Sequence, residues 1–213
     1  MNQITLRLRP HEKQTFESFR IGLNDSLLDR LRSSNNVWLH GSRSVGKSHV
    51  VNALVNESTN AILVSEPSYD LSGLEQFSLV VFDDIEQWLG EKERELQFLG
   101  LYERLRSTTG RVVATASKQA ARHEFALRDL ESRMRAFHEV HLLALPEEQR
   151  IGLLGDMAAD RGIEISQEVA NFLLVRIGRS QHELLDTLEK LDDASAIDQR
   201  RLTIPFVKRA LQL

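Results

Sequence analysis

Cysteine is absent from the 213 residues, which excludes disulfides, thiol catalysis and cysteine-based zinc or iron–sulfur sites. Proline and glycine are scarce, at 4 and 11 residues, too few for a collagen-like or disordered chain. No window approaches the roughly 18 consecutive apolar residues of a bilayer span. The segment Met1 to Pro10 lacks the apolar core of about 7–15 residues that a secretory signal needs. A basic excess is missing too: 27 Lys and Arg stand against 31 Asp and Glu, a net charge of −4. That balance argues against a general electrostatic grip on DNA or on an anionic membrane. The expectation is a soluble, cytoplasmic protein with no membrane partner. What is present is an apolar fraction of 41%, enough to bury a core. At roughly 150 residues per domain, the length allows one domain and part of another.

Short apolar runs alternate with helical patterns. Val37–Leu39, Ala61–Ser65, Leu79–Phe82, Val112–Thr115 and Val140–Leu143 are strand-length and mostly continuous in apolarity, as suits strands buried on both faces of a parallel sheet. Phe98, Leu101, Tyr102 and Leu105 fall at i, i+3, i+4 and i+7, one stripe of a helix from about Glu91 to Arg106. The charged run Glu91 to Glu95 reads as its solvated first turn. Such alternation predicts a doubly wound α/β domain. After Leu145 the strands stop. Pro146-Glu147-Glu148 opens a helix with Pro and acids in its first turn, and Ile151, Leu154 and Ala158 give it an apolar face. A second helix starts near Ser166, with Val169, Phe172, Leu173 and Ile177 on one side. A third starts at Ser180, which with Glu183 makes a capping box, and a fourth at Thr203-Ile204-Pro205. Residues 146–213 therefore read as a helical subdomain beside an α/β base.

Gly41-Ser42-Arg43-Ser44-Val45-Gly46-Lys47-Ser48 fits G-x-x-x-x-G-K-[ST] without a mismatch, directly after a predicted strand and before the helical segment His49–Asn56, the context that this motif requires. The glycines let backbone N–H groups turn inward as an anion nest at a helix N-terminus. Lys47 is expected to reach the β- and γ-phosphates of a nucleotide and Ser48 to coordinate Mg²⁺. Leu79-Val80-Val81-Phe82-Asp83-Asp84 places two acids at the end of a buried strand, where ligands of open α/β sheets sit. Asp83 is the candidate for the Mg²⁺ shell and Asp84 for orienting the attacking water. Trp38 reads as core. Trp88 could be core or face a partner. The other histidines show no metal-ligand spacing, and His49 is expected to line the pocket by its main chain.

A P-loop, an apolar strand ending in two acids and a trailing helical lid resemble an AAA+ ATPase module. Thr15-Phe16-Glu17-Ser18-Phe19, ahead of the P-loop, is similar to the first conserved box of the replication initiator DnaA. The C-terminal Arg201-Leu202-Thr203-Ile204-Pro205-Phe206-Val207-Lys208 and the N-terminal Gln3-Ile4-Thr5-Leu6-Arg7-Leu8 resemble the ends of the DnaA-related regulatory inactivators, the Hda family. The resemblance spans nearly the whole chain and implies three parts: a clamp-binding arm (1–10), an AAA+ base (11–145) and an α-helical lid (146–213).

Carried over residue by residue, the resemblance implies an adenine nucleotide, ADP or ATP, held by residues 41–49 with Phe19 and Ile21 nearby. It implies a sliding-clamp peptide at residues 3–8, with Gln3 as amide anchor and Leu6 and Leu8 as apolar plugs. Ile4, ahead of Thr5, is a mild replacement, and Arg7 departs from the family's Pro and loses a preset φ. Without the family, this segment reads as a tail or an edge strand. Val112-Val113-Ala114-Thr115-Ala116-Ser117 resembles the sensor-1 strand, with Ser117 where the family usually has Asp; alone, Ser117 reads as a strand-end cap. Asp129-Leu130-Glu131-Ser132-Arg133 resembles the box of the arginine finger. Arg133 is thereby implied to act in trans on ATP bound to a partner DnaA; as an isolated residue it reads as a surface arginine. Residues 118–137 carry five Lys and Arg against three acids, which suits an acidic partner face better than DNA. At sensor 2 the family has an Arg in the third lid helix. Here His182 stands there, with Arg179 as the other cation in reach, so weak γ-phosphate sensing and slow or absent hydrolysis in cis are expected.

The function so implied is negative regulation of replication initiation through hydrolysis of DnaA-bound ATP, with DNA met through the clamp and DnaA, and with a homodimer or larger oligomer as an open possibility. A self-contained DnaA-like ATPase, such as a helicase loader, and a non-catalytic clamp–DnaA adaptor are the alternatives. Arm, base and lid use all 213 residues, leaving none for the C-terminal helix-turn-helix domain of DnaA, so a regulator is expected rather than the initiator.

Overall fold

The computed structural model describes residues 14–16, 19, 24, 26–33, 36–176, 181–198 and 202–213, with the backbone alone at 181–183, 185 and 195–198. The base is built from α1 (Leu27–Ser33), β1 (Val37–His40), α2 (Lys47–Glu57), β2 (Ala61–Val64), β3 (Leu79–Phe82), α3 (Lys92–Arg106), β4 (Arg111–Ala116), α4 (Arg128–Arg135) and β5 (His138–His141). The strands form one sheet in the order β2-β3-β4-β1-β5, and every pairing is parallel. All C-terminal strand ends therefore meet along one edge, and the P-loop, Asp83 and Ser117 lie on it.

Continuous apolarity is explained by burial on both faces. Along β1, Val37 and Leu39 turn to the side covered by α1 and α2, while Trp38 turns to the side covered by α3 and α4. The stripe Phe98, Leu101, Tyr102 and Leu105 of α3 packs on this second side with Leu130 and Met134 of α4. Trp38 is fully buried, and its indole N–H donates to Lys118 O at 2.8 Å. Trp88 is also fully buried, edge-on to Phe82 with centroids 5.4 Å apart, so it is core and not a partner contact.

Two expectations are corrected. β5 begins at His138 and ends at His141, two residues earlier than the apolar run suggested. The extended pairing with β1 takes in the polar His138 and Glu139, because an edge strand has one open side and tolerates exposed side chains. The run Glu91 to Glu95 is not wholly solvated. Glu95 is completely buried, and its carboxylate accepts from the amides of Gly90 (2.7 Å), Ala126 (2.9 Å) and Leu127 (2.7 Å). It thus joins the turn before α3 to the turn that starts α4.

The lid region holds α5 (Glu147–Ala159), α6 (Gln167–Arg176), α7 (Gln181–Asp198) and α8 (Ile204–Ala210). Its core gathers Leu154, Ala158, Val169, Leu173, Leu188, Leu191 and Phe206. Thr203 caps α8, accepting from Phe206 N at 3.4 Å with Pro205 in the first turn. Ile177 and Ser180, the expected cap, lie outside the described residues, and the side chain of Glu183 is likewise not described. Among the described residues no helix is long and apolar enough to cross a membrane.

Candidate functional site

The loop from Gly41 to Gly46 leaves β1 and bends into the N-terminus of α2. Two backbone positions make this bend: Ser44 at φ 63° and Gly46 at φ 106°, a region where glycine is unstrained. Gly41 is required for a different reason. A Cβ there would stand 2.6 Å from Leu142 O, on the chain leaving the neighbouring strand. Phe19 packs over Gly46, with its ring 3.0 Å from where a Cβ would be. The Lys47 ammonium is buried and donates to Gly41 O at 2.9 Å and Ser42 O at 3.1 Å. The lysine thus spans the loop that it follows. Ser48 is exposed at the helix start.

At the end of β3, Asp83 Oδ1 accepts from the Thr115 hydroxyl at 2.6 Å, and the same hydroxyl accepts from Asp84 N at 2.8 Å. Thr115 is fully buried in β4 and fixes the Asp83 carboxylate and the Asp84 backbone. Asp84 adopts a left-handed conformation at φ 55°. Its carboxyl is pushed up from the usual range by burial, then by the adjacent Asp83 and Glu86, against the pull of Lys47 and Arg43. Ser117 turns to Glu86 instead of the two acids: its amide and hydroxyl both bond that carboxylate. Burial raises Glu86, but these bonds outweigh it and hold Glu86 below its ordinary value.

A cavity of about 500 Å³ opens beside the P-loop, within the size range of small-molecule sites. Phe19, Ser42, Arg43, Ser44, Val45 and Gly46 line one wall; Leu143, Ala144 and Leu145 form the connection to the lid, and Arg150, Leu153 and Leu184 the far side. His49 does not line it. Its side chain is buried, 2.9 Å from Thr15 O and tilted against Phe19 at 5.5 Å, so it supports the loop from beneath by its ring and not by its main chain. The base and lid walls together make a crevice with an apolar body and a polar, N–H-rich end, and Ser48 and Asp83 offer the oxygen donors that Mg²⁺ prefers.

Arg133 lies elsewhere. α4 covers the sheet face opposite α2, and Arg133 pairs with Glu103 at 3.0 Å and Asp129 at 3.3 Å, its guanidinium 5.9 Å from the centre of the Tyr102 ring. The structure therefore brings Lys47, Asp83 and Asp84 to one sheet edge and leaves Arg133 outside the cavity. Ile21, Arg179 and residues 3–8 lie outside the described residues, as does the side chain of His182. Thr115, Glu95 and Arg150 were not singled out by sequence reasoning. A threonine inside a buried apolar strand was the available signal for the first. For Arg150 it was an arginine one turn before the buried Leu154.

A family model described as Hda, lid domain, matches residues 147–211. An uncharacterized protein of Haemophilus influenzae is 35% identical over 99% of this chain and 99% of its own length. Among solved structures, domain III of the Thermotoga maritima replication initiation protein DnaA superposes with a TM-score of 0.79 at 16% identity, over 95% of this chain and 97% of that one. AMPPCP-bound DnaA from Aquifex aeolicus gives 0.73 at 16% identity, over 95% of this chain and 69% of that one. A parallel five-stranded base of this topology, the P-loop at its edge and the matched lid make the chain a member of the DnaA-related, Hda-like family of AAA+ proteins.

Proposed function

We propose that this protein holds an adenine nucleotide, ADP or ATP with Mg²⁺, between P-loop and lid, and that it regulates DnaA by promoting hydrolysis of DnaA-bound ATP. The observation that carries the nucleotide reading is the preformed cradle. Gly41 and Gly46 leave no room for side chains, Lys47 is buried across the loop, and the cavity continues from it. Phosphate oxygens would displace Gly41 O and Ser42 O as partners of Lys47 Nζ, while the amides at the start of α2 supply a fixed positive end. Ser48 and Asp83 would hold Mg²⁺, which neutralises phosphate charge when bound. Thr115 keeps Asp83 and the backbone of Asp84 in place for this.

The DnaA reading is supported by the Hda lid match and by the place of Arg133. A guanidinium on the far face of the sheet cannot serve its own cavity, but it is available to another subunit's. On docking, Arg133 exchanges Glu103 and Asp129 for the γ-phosphate of ATP on DnaA and stabilises the charge that develops as water displaces ADP. Residues 3–8 would tether the protein to the sliding clamp, which delivers it to DNA without a basic surface of its own.

Titration with a fluorescent ADP in the presence of Mg²⁺ tests the nucleotide reading. The wild-type protein is expected to bind, and Lys47→Ala to lose at least tenfold in affinity. Equal binding by both would remove the P-loop from the account.

A further inference from the structure

Among the described residues, four buried side-chain nitrogens lack a hydrogen-bond partner of their own: Trp88 Nε1 and the Nε atoms of Arg133, Arg150 and Arg161. Three have an explanation in their surroundings. Trp88 sits in the apolar core, Arg133 is ion-paired, and Arg161 donates through its terminal nitrogen to Met157 O at 2.9 Å. Arg150 is different. Among the described residues no carboxylate pairs with its guanidinium, although Glu147 and Glu148 stand in the same helical turn, both exposed. It lines the cavity between P-loop and lid. A guanidinium stays charged at any working pH, and an unsatisfied buried donor in a native protein calls for a ligand, water or ion to meet it.

We infer that Arg150 is a nucleotide-binding residue supplied by the first lid helix, and that it contacts the base–ribose–α-phosphate part of the ligand that ADP and ATP share. The inference rests on the nucleotide reading above and adds to it a residue and a subsite. The composition of the cavity places the contact. Val45, Leu143, Leu145, Leu153 and Leu184 give an apolar enclosure for a purine ring, whereas Lys47, Ser48, Asp83 and Asp84, which define the γ-phosphate end, do not line it. The Arg150 fork can donate to ribose, α-phosphate or ring-nitrogen acceptors, or lie against the face of the base. Its contact joins the lid to the base through the ligand, so bound nucleotide of either kind draws the lid onto the P-loop. The lid thus registers that a nucleotide is present without reading how many phosphates it has.

The test is a parallel titration of the full-length protein with fluorescent ADP and fluorescent ATP, each with Mg²⁺. Arg150→Ala is expected to weaken both by about tenfold and by the same factor, with the urea midpoint of the nucleotide-free protein unchanged. Arg150→Lys, which keeps the charge without the fork, is expected to fall between, and it serves as the reading if the alanine variant does not fold. Wild-type affinity for both nucleotides in the two variants would overturn the proposal. So would a loss confined to ATP, which would place Arg150 at the γ-phosphate. If the unaltered protein bound neither nucleotide, the underlying reading would fail first and the role of Arg150 with it.

Discussion

The hydroxyl of Thr115 is the hinge pin of the acidic edge: it donates to Asp83 at 2.6 Å and accepts from the amide of Asp84 at 2.8 Å. One buried oxygen on β4 thereby orders the Asp83 carboxylate and the Asp84 backbone at the end of β3, the neighbouring strand. The arrangement has no room for an isostere without the oxygen, because the Asp84 amide would then lack its acceptor.

Thr115→Val is therefore expected to cost about 1–3 kcal/mol of stability, the range for leaving a buried polar group unmet, and to weaken the Mg²⁺ dependence of nucleotide binding. Thr115→Ser restores the oxygen and should recover most of both. Urea unfolding and nucleotide titration with and without Mg²⁺ check the pair.

Glu95 gives a second expectation. Its Oε1 meets Gly90 and Ala126 and its Oε2 meets Leu127, so both oxygens are acceptors only. Glu95→Gln forces an amide NH₂ against at least one of these backbone donors, and a loss of about 1–3 kcal/mol is expected. The start of α4 should loosen with it. Hydrogen exchange over residues 126–135 reports this, and protection equal to wild type would show that the carboxylate is not needed there.

His40 links stability to pH. It stacks on His141 with centroids 4.7 Å apart. Burial first, then His141, holds its pKa below the ordinary 6.5, with Arg122 and Lys47 acting in the same direction and Glu139 opposing. The folded state thus binds this proton less readily than the unfolded one. The contribution is fully present above pH 6.5 and is lost as pH falls below it through the lowered folded value. Unfolding midpoints should decline from pH 7.5 toward pH 5.5, and His40→Gln should flatten that part of the profile. An unchanged slope in the variant would remove His40 as its source.

Much of the base was legible because its strands are buried on both faces and its helices keep one stripe. The P-loop was legible because phosphate binding demands glycine at fixed offsets, as the 2.6 Å approach at Gly41 illustrates. What the sequence concealed depends on contacts across many residues. The Glu95 carboxylate meets amides 31 and 32 positions away, so its string of charges looked like any solvated turn. Thr115 on β4 and Ser117 just past its end differ by two positions, yet Thr115 bonds Asp83, and Ser117 goes to Glu86. Arg150 meets the P-loop wall only across a cavity formed by the fold, so little near it in the chain marks it.

The most direct measurement of the central claim is single-turnover hydrolysis of ATP bound to DnaA, with clamp-loaded DNA and this protein either unaltered or carrying Arg133→Ala. Arg133 is held by pairs to the partly exposed Glu103 and Asp129, which are worth little to the fold, and by its contact with the Tyr102 ring; urea unfolding of the variant checks that it remains folded. The unaltered protein is expected to accelerate hydrolysis, and Arg133→Ala to lose that acceleration by at least a hundredfold, within the roughly 10³–10⁵ scale of such arginines. Full acceleration by Arg133→Ala would contradict the claim that this guanidinium acts on DnaA-bound ATP.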